Sequence, residues 1–180
     1  MFMMVTLDGF FEGPGQSIDW HHVDEEFNEF AIKQLDEIDT LLFGRVTYEG
    51  MASYWPTPAA IGDDPVVAGK MNSLPKIVFS RTLEKADWEN SRLVKDHVAE
   101  EVQKLKEQPG GDVAIFGSSD LTTSLLEMGL VDELRIMVNP VVLGRGKRLF
   151  EGIDKQVELH LEATTVFRSG NVLMRYRVQP

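Results

Sequence analysis

Three apolar runs in this chain end in small, hydroxyl or guanidinium residues: Leu41-Leu42-Phe43-Gly44-Arg45-Val46-Thr47, Ile77-Val78-Phe79-Ser80-Arg81-Thr82 and Val113-Ala114-Ile115-Phe116-Gly117-Ser118-Ser119. Each reads as a buried strand, and two of the three place an arginine just beyond it. In an open α/β sheet, ligands bind outside the carboxyl ends of the strands. Ends that offer backbone N–H groups, hydroxyls and Arg suit an extended anion with several phosphates, such as a dinucleotide. Carboxylates supply a second kind of chemistry. Asp8 closes the first apolar run beside Gly9, where burial in a crevice can tune an acid's pKa; the same residue can simply shape an Asp-Gly turn. Asp24, Glu25 and Glu26 follow Trp20, where acids in a first helical turn also answer the macrodipole and face water.

The elements that must carry these residues alternate along the chain without a linker or repeat. Phe2 to Leu7 reads as a central strand, followed by a glycine-rich loop over Glu12–Ser17. Asp24 caps a helix from Glu25 to about Ile38, with Phe27, Phe30, Ala31, Leu35 and Ile38 on one face. Thr40–Phe43 is a strand and Arg45–Ala52 a short helix, and Pro56, Pro58, Gly62 and Pro65 mark a long surface loop. Strands follow at Lys76–Ser80 and Ser91–Val94. Asp96 caps a helix to about Glu107, which Gln108-Pro109-Gly110-Gly111 stops. A strand at Val113–Phe116, a helix at Asp120–Met128 and a strand at Glu133–Val138 come next. Val157–Phe167 and Asn171–Val178 form a hairpin around Ser169-Gly170. An α/β body closed by an antiparallel hairpin implies a three-layer α/β/α fold on a mixed, mostly parallel sheet.

Composition narrows the class. The 180 residues suit one domain over 1–180 with a sizeable core, and 43% hydrophobic with 26% charged residues is ordinary for a globular protein. No apolar run approaches the ~20 residues of a membrane span. The N-terminus lacks the basic segment and small-residue cleavage site of a signal peptide, so the expectation is a cytoplasmic protein. With no cysteine, disulfides, thiolate catalysis and thiolate metal sites are excluded. A net charge of −11 argues against general nucleic-acid binding, which needs clustered Lys and Arg. Adjacent His21 and His22 point in different directions on any regular element and have no second ligand pair, so no metal site is expected. Gly144-Arg145-Gly146-Lys147 lacks the spacing of a Walker A loop.

The ordered set of Asp8-Gly9, the glycine loop, Asp19-Trp20, Gly44-Arg45-Val46-Thr47-Tyr48-Glu49, Ser80-Arg81-Thr82, Gly117-Ser118-Ser119 and Pro140-Val141-Val142-Leu143-Gly144-Arg145-Gly146-Lys147 resembles the dihydrofolate-reductase-like superfamily. Within it, the chain is most similar to the reductase domain of the bifunctional riboflavin-biosynthesis deaminase-reductase. The likeness extends over essentially the whole chain. The zinc deaminase half has no counterpart, since its cysteines are missing.

The resemblance implies NADPH as cofactor. It places Gly44, Arg45, Thr47, Ser80 and Arg81 at the adenine-ribose and its 2′-phosphate, and two Arg supply the charge and forked donors a phosphate wants. It places Gly117, Ser118 and Ser119 at the pyrophosphate, beside a helix N-terminus. Here the chain departs from the reductases' Gly-Gly pair, with Ser118 second, so an unusual peptide at that step is not expected. Asp8, Asp24 and Glu25 are the candidate catalytic acids, and Asp8 and Trp20 the candidate substrate contacts. Folate reductases pair their acid with a Thr on a later strand, but the matching position is Met137, which disfavours folate chemistry. The implied activity is NADPH-dependent reduction of a pyrimidine- or pteridine-type substrate, first 5-amino-6-(5-phosphoribosylamino)uracil. A phosphate ester of that kind wants a basic contact, and Arg145, Lys147 and Arg148 are the nearest cluster. Dihydrofolate reduction and a non-catalytic NADPH- or flavin-binding dimer are the alternatives. The alternation of Leu134, Ile136 and Val138, with the run Val141-Val142-Leu143, implies a sheet edge that pairs with a second copy in a homodimer.

Overall fold

A computed structural model describes residues 1–179. Along the chain run β1 (Phe2–Thr6), β2 (Phe10–Glu12), α1 (Glu25–Asp36), β3 (Ile38–Gly44), α2 (Arg45–Tyr54), α3 (Pro58–Asp63), α4 (Pro65–Ser73), β4 (Lys76–Phe79) and β5 (Ser91–Val94). Then follow α5 (Val98–Lys106), β6 (Asp112–Ile115), α6 (Ser119–Glu127), β7 (Glu133–Asn139), β8 (Lys147–Arg148), β9 (Leu159–Val166) and β10 (Val172–Val178). These elements form two compact units, one of Asn28–Leu121 and one of Met1–Phe27 with the chain from Thr122 onward.

The Asn28–Leu121 unit is built on a wholly parallel sheet in the order β5-β4-β3-β6. The inner strand β3 is apolar and buried along Leu41–Phe43, and β4 is buried throughout, as expected of parallel strands covered on both faces. Leu41, Phe43, Val78, Tyr48, Met71 and Trp88 form the core, with Leu41, Phe43 and Val78 wholly shielded from solvent. The chain leaves β3 toward β4 and β5, then returns to place β6 on the other side of β3. That reversal makes a topological switch point between the carboxyl ends of β3 and β6, the position where open α/β sheets bind ligands.

The other unit carries a mixed sheet in the order β1-β7-β10-β9, with β1 and β7 parallel and the β9–β10 hairpin antiparallel. Met3, Met4, Ile136 and Met137 are buried in it. A separate ribbon pairs β2 with β8, Phe10 opposite Arg148. The single mixed sheet read from the sequence thus appears as two four-stranded hydrogen-bonded sheets.

Four local expectations are corrected. The stretch after Pro56 is not a loop but α3 and α4, because each proline sits in the first turn, where its missing N–H costs nothing, and Thr57 and Asp64 cap the next amides. Helix α1 stops at Asp36 because Ile38 is recruited into β3 opposite Asp112. The N-cap of α5 is His97, in the left-handed region at φ 57°, and not Asp96. Strand β7 is interior, flanked by β1 and β10, so Leu134–Val138 is no bare edge; the exposed edge strand is β9.

Candidate functional site

In the parallel sheet, the register sets Gly44 opposite Phe79, Phe79 opposite Val94, and Leu42 opposite Ile115. The three strand ends singled out in the sequence are therefore neighbours along one edge. Gly44 and Gly117-Ser118 flank the switch point itself. They are tied together by a short chain of hydrogen bonds: Gly44 N–H donates to Ser118 Oγ at 2.9 Å, and Ser118 N–H donates to Thr47 Oγ1 at 3.0 Å.

That latch explains the backbone. Gly117 and Ser118 are both left-handed, at φ 67° and 57°, and no described peptide is cis. A Cβ on residue 117 would lie 2.9 Å from Thr47 Cγ2, so only glycine fits there. The left-handed form costs a serine about 1–2 kcal/mol, and the two hydrogen bonds that Ser118 makes offset this. Each hydroxyl has a lone pair taken by a backbone N–H, so its proton remains to be donated. Neither finds an acceptor among the described residues. Helix α2 starts at Arg45 with a glycine N-cap that offers no side chain, and α6 starts at Ser119, which is buried. Two hydroxyl protons and helix-terminal amides make this a cradle for anionic oxygens.

Two cations follow the ends of β3 and β4, Arg45 directly after Gly44 and Arg81 two residues past Phe79, and both are loosely held. Arg45 Nη1 pairs with Glu49 at 2.9 Å within α2, and Arg81 Nε lies 3.4 Å from Asp96 Oδ1 with 82% of its side chain exposed. Surface pairs of this kind are worth little, so both guanidiniums remain available to a ligand. Ser80 Oγ is occupied in its own turn, accepting from Thr82 and Leu83 N–H at 3.2 and 3.0 Å.

In the other unit, Asp8 lies just past the carboxyl end of β1, and the backbone two residues after Trp20 is bonded to Asn139 at the end of β7. Asp8 accepts from the Thr6 hydroxyl at 2.7 Å and from the amides of Leu143 and Gly144 at 3.2 and 2.8 Å. The Thr6 bond, then the two amides, hold its carboxyl below the usual range against the opposing effect of desolvation. It anchors the Val141–Gly146 turn as a carboxylate. Just past that turn, in β8, Arg148 donates to the Asp8 carbonyl at 3.1 Å and lies over Phe10, and Lys147 lies over Phe11. Leu7 N–H donates to the Val141 carbonyl at 2.9 Å, and the side chains of Leu7 and Val142 are both exposed.

Trp20 is buried, its indole N–H on the Ser17 carbonyl at 3.3 Å, and it meets His21 edge-on at 4.4 Å. Burial lowers the His21 pKa to about 4, and its Nε2 is a buried atom without a hydrogen bond. The next residue is clamped through its backbone: His22 N–H donates to Asn139 Oδ1 at 2.9 Å, and Asn171 Nδ2 donates to the His22 carbonyl at 2.8 Å. Both asparagines are wholly buried. The local sequence marks only Asn139, as a polar residue closing the apolar β7 just before Pro140; Asn171 carries no such mark.

The three acids after Trp20 divide by role. Asp24 caps α1, accepting from Phe27 N–H at 2.9 Å. Glu26 accepts from Arg168 N–H at 2.8 Å and so ties the helix start to the β9–β10 turn. Glu25 is exposed and has no polar partner among the described residues. Met137 is wholly buried between Met4 and Leu173. No group of three metal-capable side chains occurs among the described residues, and no helix of theirs is long and apolar enough to cross a membrane.

A parallel sheet with a loaded carboxyl edge, together with a mixed sheet ending in an antiparallel hairpin, defines the dihydrofolate-reductase-like fold. The RibD C-terminal domain model matches residues 1–174, and the chain belongs to that family. The uncharacterized protein YyaP of Bacillus subtilis (strain 168) is 37% identical over 176 residues, covering 97% of this chain and 91% of that protein. A provisionally assigned riboflavin biosynthesis protein from Shewanella sp. PV-4 superposes with a TM-score of 0.76 at 22% identity, over 99% of this chain and 97% of that one. The dihydrofolate reductase of Enterococcus faecalis, complexed with NADP(H) and RAB-propyl, superposes with a TM-score of 0.65 at 19% identity, over 99% and 95%.

Proposed function

We propose that the protein is an NADPH-dependent oxidoreductase reducing a pyrimidine- or pteridine-type substrate in the cytoplasm, with 5-amino-6-(5-phosphoribosylamino)uracil the first candidate. The observation that carries this reading is the switch-point latch: two hydroxyl protons without acceptors, between two helix starts and beside two loosely paired arginines. In this reading Gly117, Ser118 and Ser119 receive the pyrophosphate, with Thr47 fixing the turn. Gly44, Arg45, Ser80 and Arg81 line the adenosine end, and Arg81 meets the 2′-phosphate. Bound NADPH supplies the hydride, and the protein's part is to orient its ligands. Trp20 forms a wall of the substrate side, and Asp8 holds the Leu143–Gly144 backbone in place. Of the candidate acids, Glu25 is the one whose carboxyl is not already engaged in holding the fold, so it is assigned the proton.

One observation favours the second reading, a non-catalytic NADPH- or flavin-binding homodimer: Asp8, Asp24 and Glu26 all serve structural hydrogen bonds. Incubation with NADPH and each of the uracil derivative and dihydrofolate separates the readings. Substrate-dependent NADPH oxidation with the uracil derivative supports the first. Rapid dihydrofolate turnover moves the substrate to the folates, and NADPH binding without oxidation by either supports the sensor.

A further inference from the structure

Asp96 is of a residue type that caps helices, but the structure gives the N-cap of α5 to His97. The carboxylate is released for another use. Ser80 N–H donates to the Val94 carbonyl at 3.1 Å, which holds the chain just past β4 beside the chain just past β5. Asp96 and Arg81 meet there, Oδ1 to Nε at 3.4 Å, with 66% and 82% of their side chains exposed.

We propose that the Arg81–Asp96 pair sets the cofactor preference of this protein, with Asp96 restraining the selectivity for a 2′-phosphate that Arg81 confers. The proposal rests on the assignment of Arg81 to that phosphate. A guanidinium is the partner of a ribose 2′-phosphate, and a carboxylate is the acceptor for a ribose 2′-hydroxyl. Side by side they serve both dinucleotides. With NADPH, the phosphate must displace Asp96 from Arg81 and then lie within a few ångströms of a like charge. With NADH, the 2′-hydroxyl can donate to Asp96 while Arg81 stays paired. A single exposed contact at 3.4 Å pre-organises Arg81 very little, so removing the carboxylate forfeits no useful orientation. At a separation of about 5 Å in a solvated setting, a carboxylate opposing a phosphate dianion weakens binding by about 3- to 10-fold.

The test measures NADPH and NADH dissociation constants for the full chain, wild type and Asp96→Asn, with 2′,5′-ADP and 5′-AMP as fragment probes. Asp96→Asn should tighten NADPH and 2′,5′-ADP by about 3- to 10-fold and leave NADH and 5′-AMP unchanged or weaker. An unchanged or lowered NADPH-to-NADH preference overturns the proposal. Arg81→Ala separates this failure from failure of the underlying assignment. If it weakens NADPH selectively while Asp96→Asn does nothing, only the role of Asp96 falls; if it spares NADPH, the phosphate assignment falls and this proposal with it. Both side chains are exposed, so coincident melting curves should show that neither variant disturbs the fold.

Discussion

The Ser118 N–H donates to Thr47 Oγ1 at 3.0 Å while the Ser118 hydroxyl accepts from Gly44 N–H, so one left-handed residue joins two strand ends at the switch point. Thr47→Val removes the acceptor and leaves a largely buried N–H unpaired, at about 1–3 kcal/mol. Under the proposed assignment the latch meets the part common to both dinucleotides, so NADPH and NADH affinities should fall together. A loss confined to NADPH in paired titrations would place Thr47 at the 2′-phosphate instead.

Gly117→Ala strains the same turn twice, through its positive φ and through the approach to Thr47 Cγ2. We expect about 1–3 kcal/mol of destabilisation in denaturant unfolding, together with weakened dinucleotide binding. Wild-type stability would show that Thr47 moves aside freely.

Lys76 is nearly fully buried, with its ammonium on the carbonyls of Asn72, Leu74 and Glu89 at 2.7–2.9 Å and 4.3 Å from the Trp88 ring centre. Burial lowers its pKa to about 8, yet all three protons are matched by acceptors. Lys76→Met strips three carbonyls of their donor and should cost about 3 kcal/mol, read as a lower denaturant midpoint. Unchanged stability would mean that water replaces the ammonium.

His21 is likewise lowered by burial, but its Nε2 has no hydrogen bond, and it gives a pH signature. Its folded pKa of about 4 lies below the ordinary value of 6.5, so between these values the unfolded chain binds the proton and the folded one does not. Its contribution is intact above pH 6.5 and is lost as pH falls toward 4, by up to about 3 kcal/mol. Unfolding free energies measured across that window should fall more steeply for wild type than for His21→Gln. Parallel profiles would show that His21 titrates alike in the folded and unfolded chains, with no shift from burial.

The edge strand β9 exposes Leu159, Leu161 and Val166, and an uncovered edge invites pairing with another chain. Light scattering should report twice the 20.3 kDa chain mass, and Leu161→Lys should return it to a monomer. A wild-type monomer at tens of micromolar removes the homodimer and leaves the reductase reading standing.

Local chemistry explains which parts of this molecule were legible in its sequence. Apolar runs that stop at Gly44, Ser80 and Gly117 announce strand ends, because a small or hydroxyl residue there is poor core material. Sequential βα order accounts for β3 beside β4, whereas β6 lies beside β3 only because the chain returns past β4 and β5. Prolines misled where they began helices α3 and α4, since a proline in the first turn and a proline in a loop look alike without the cap partners. The position of β7 depends on pairing with β1 across more than 130 residues, and the Asp8 bonds to Leu143 and Gly144 span a similar distance. No local pattern encodes either. His97 displaced Asp96 as the cap through a left-handed conformation that propensity does not favour.

The central claim is that the cofactor's phosphates lie on the carboxyl edge of the parallel sheet, at the β3–β6 switch point. NADPH titration followed by assigned amide NMR tests it most directly. Saturable shifts concentrated at Gly44, Arg45, Thr47, Ser80, Arg81 and Gly117–Ser119 are predicted. No saturable shift at these amides, or shifts clustered elsewhere in the chain, would contradict it.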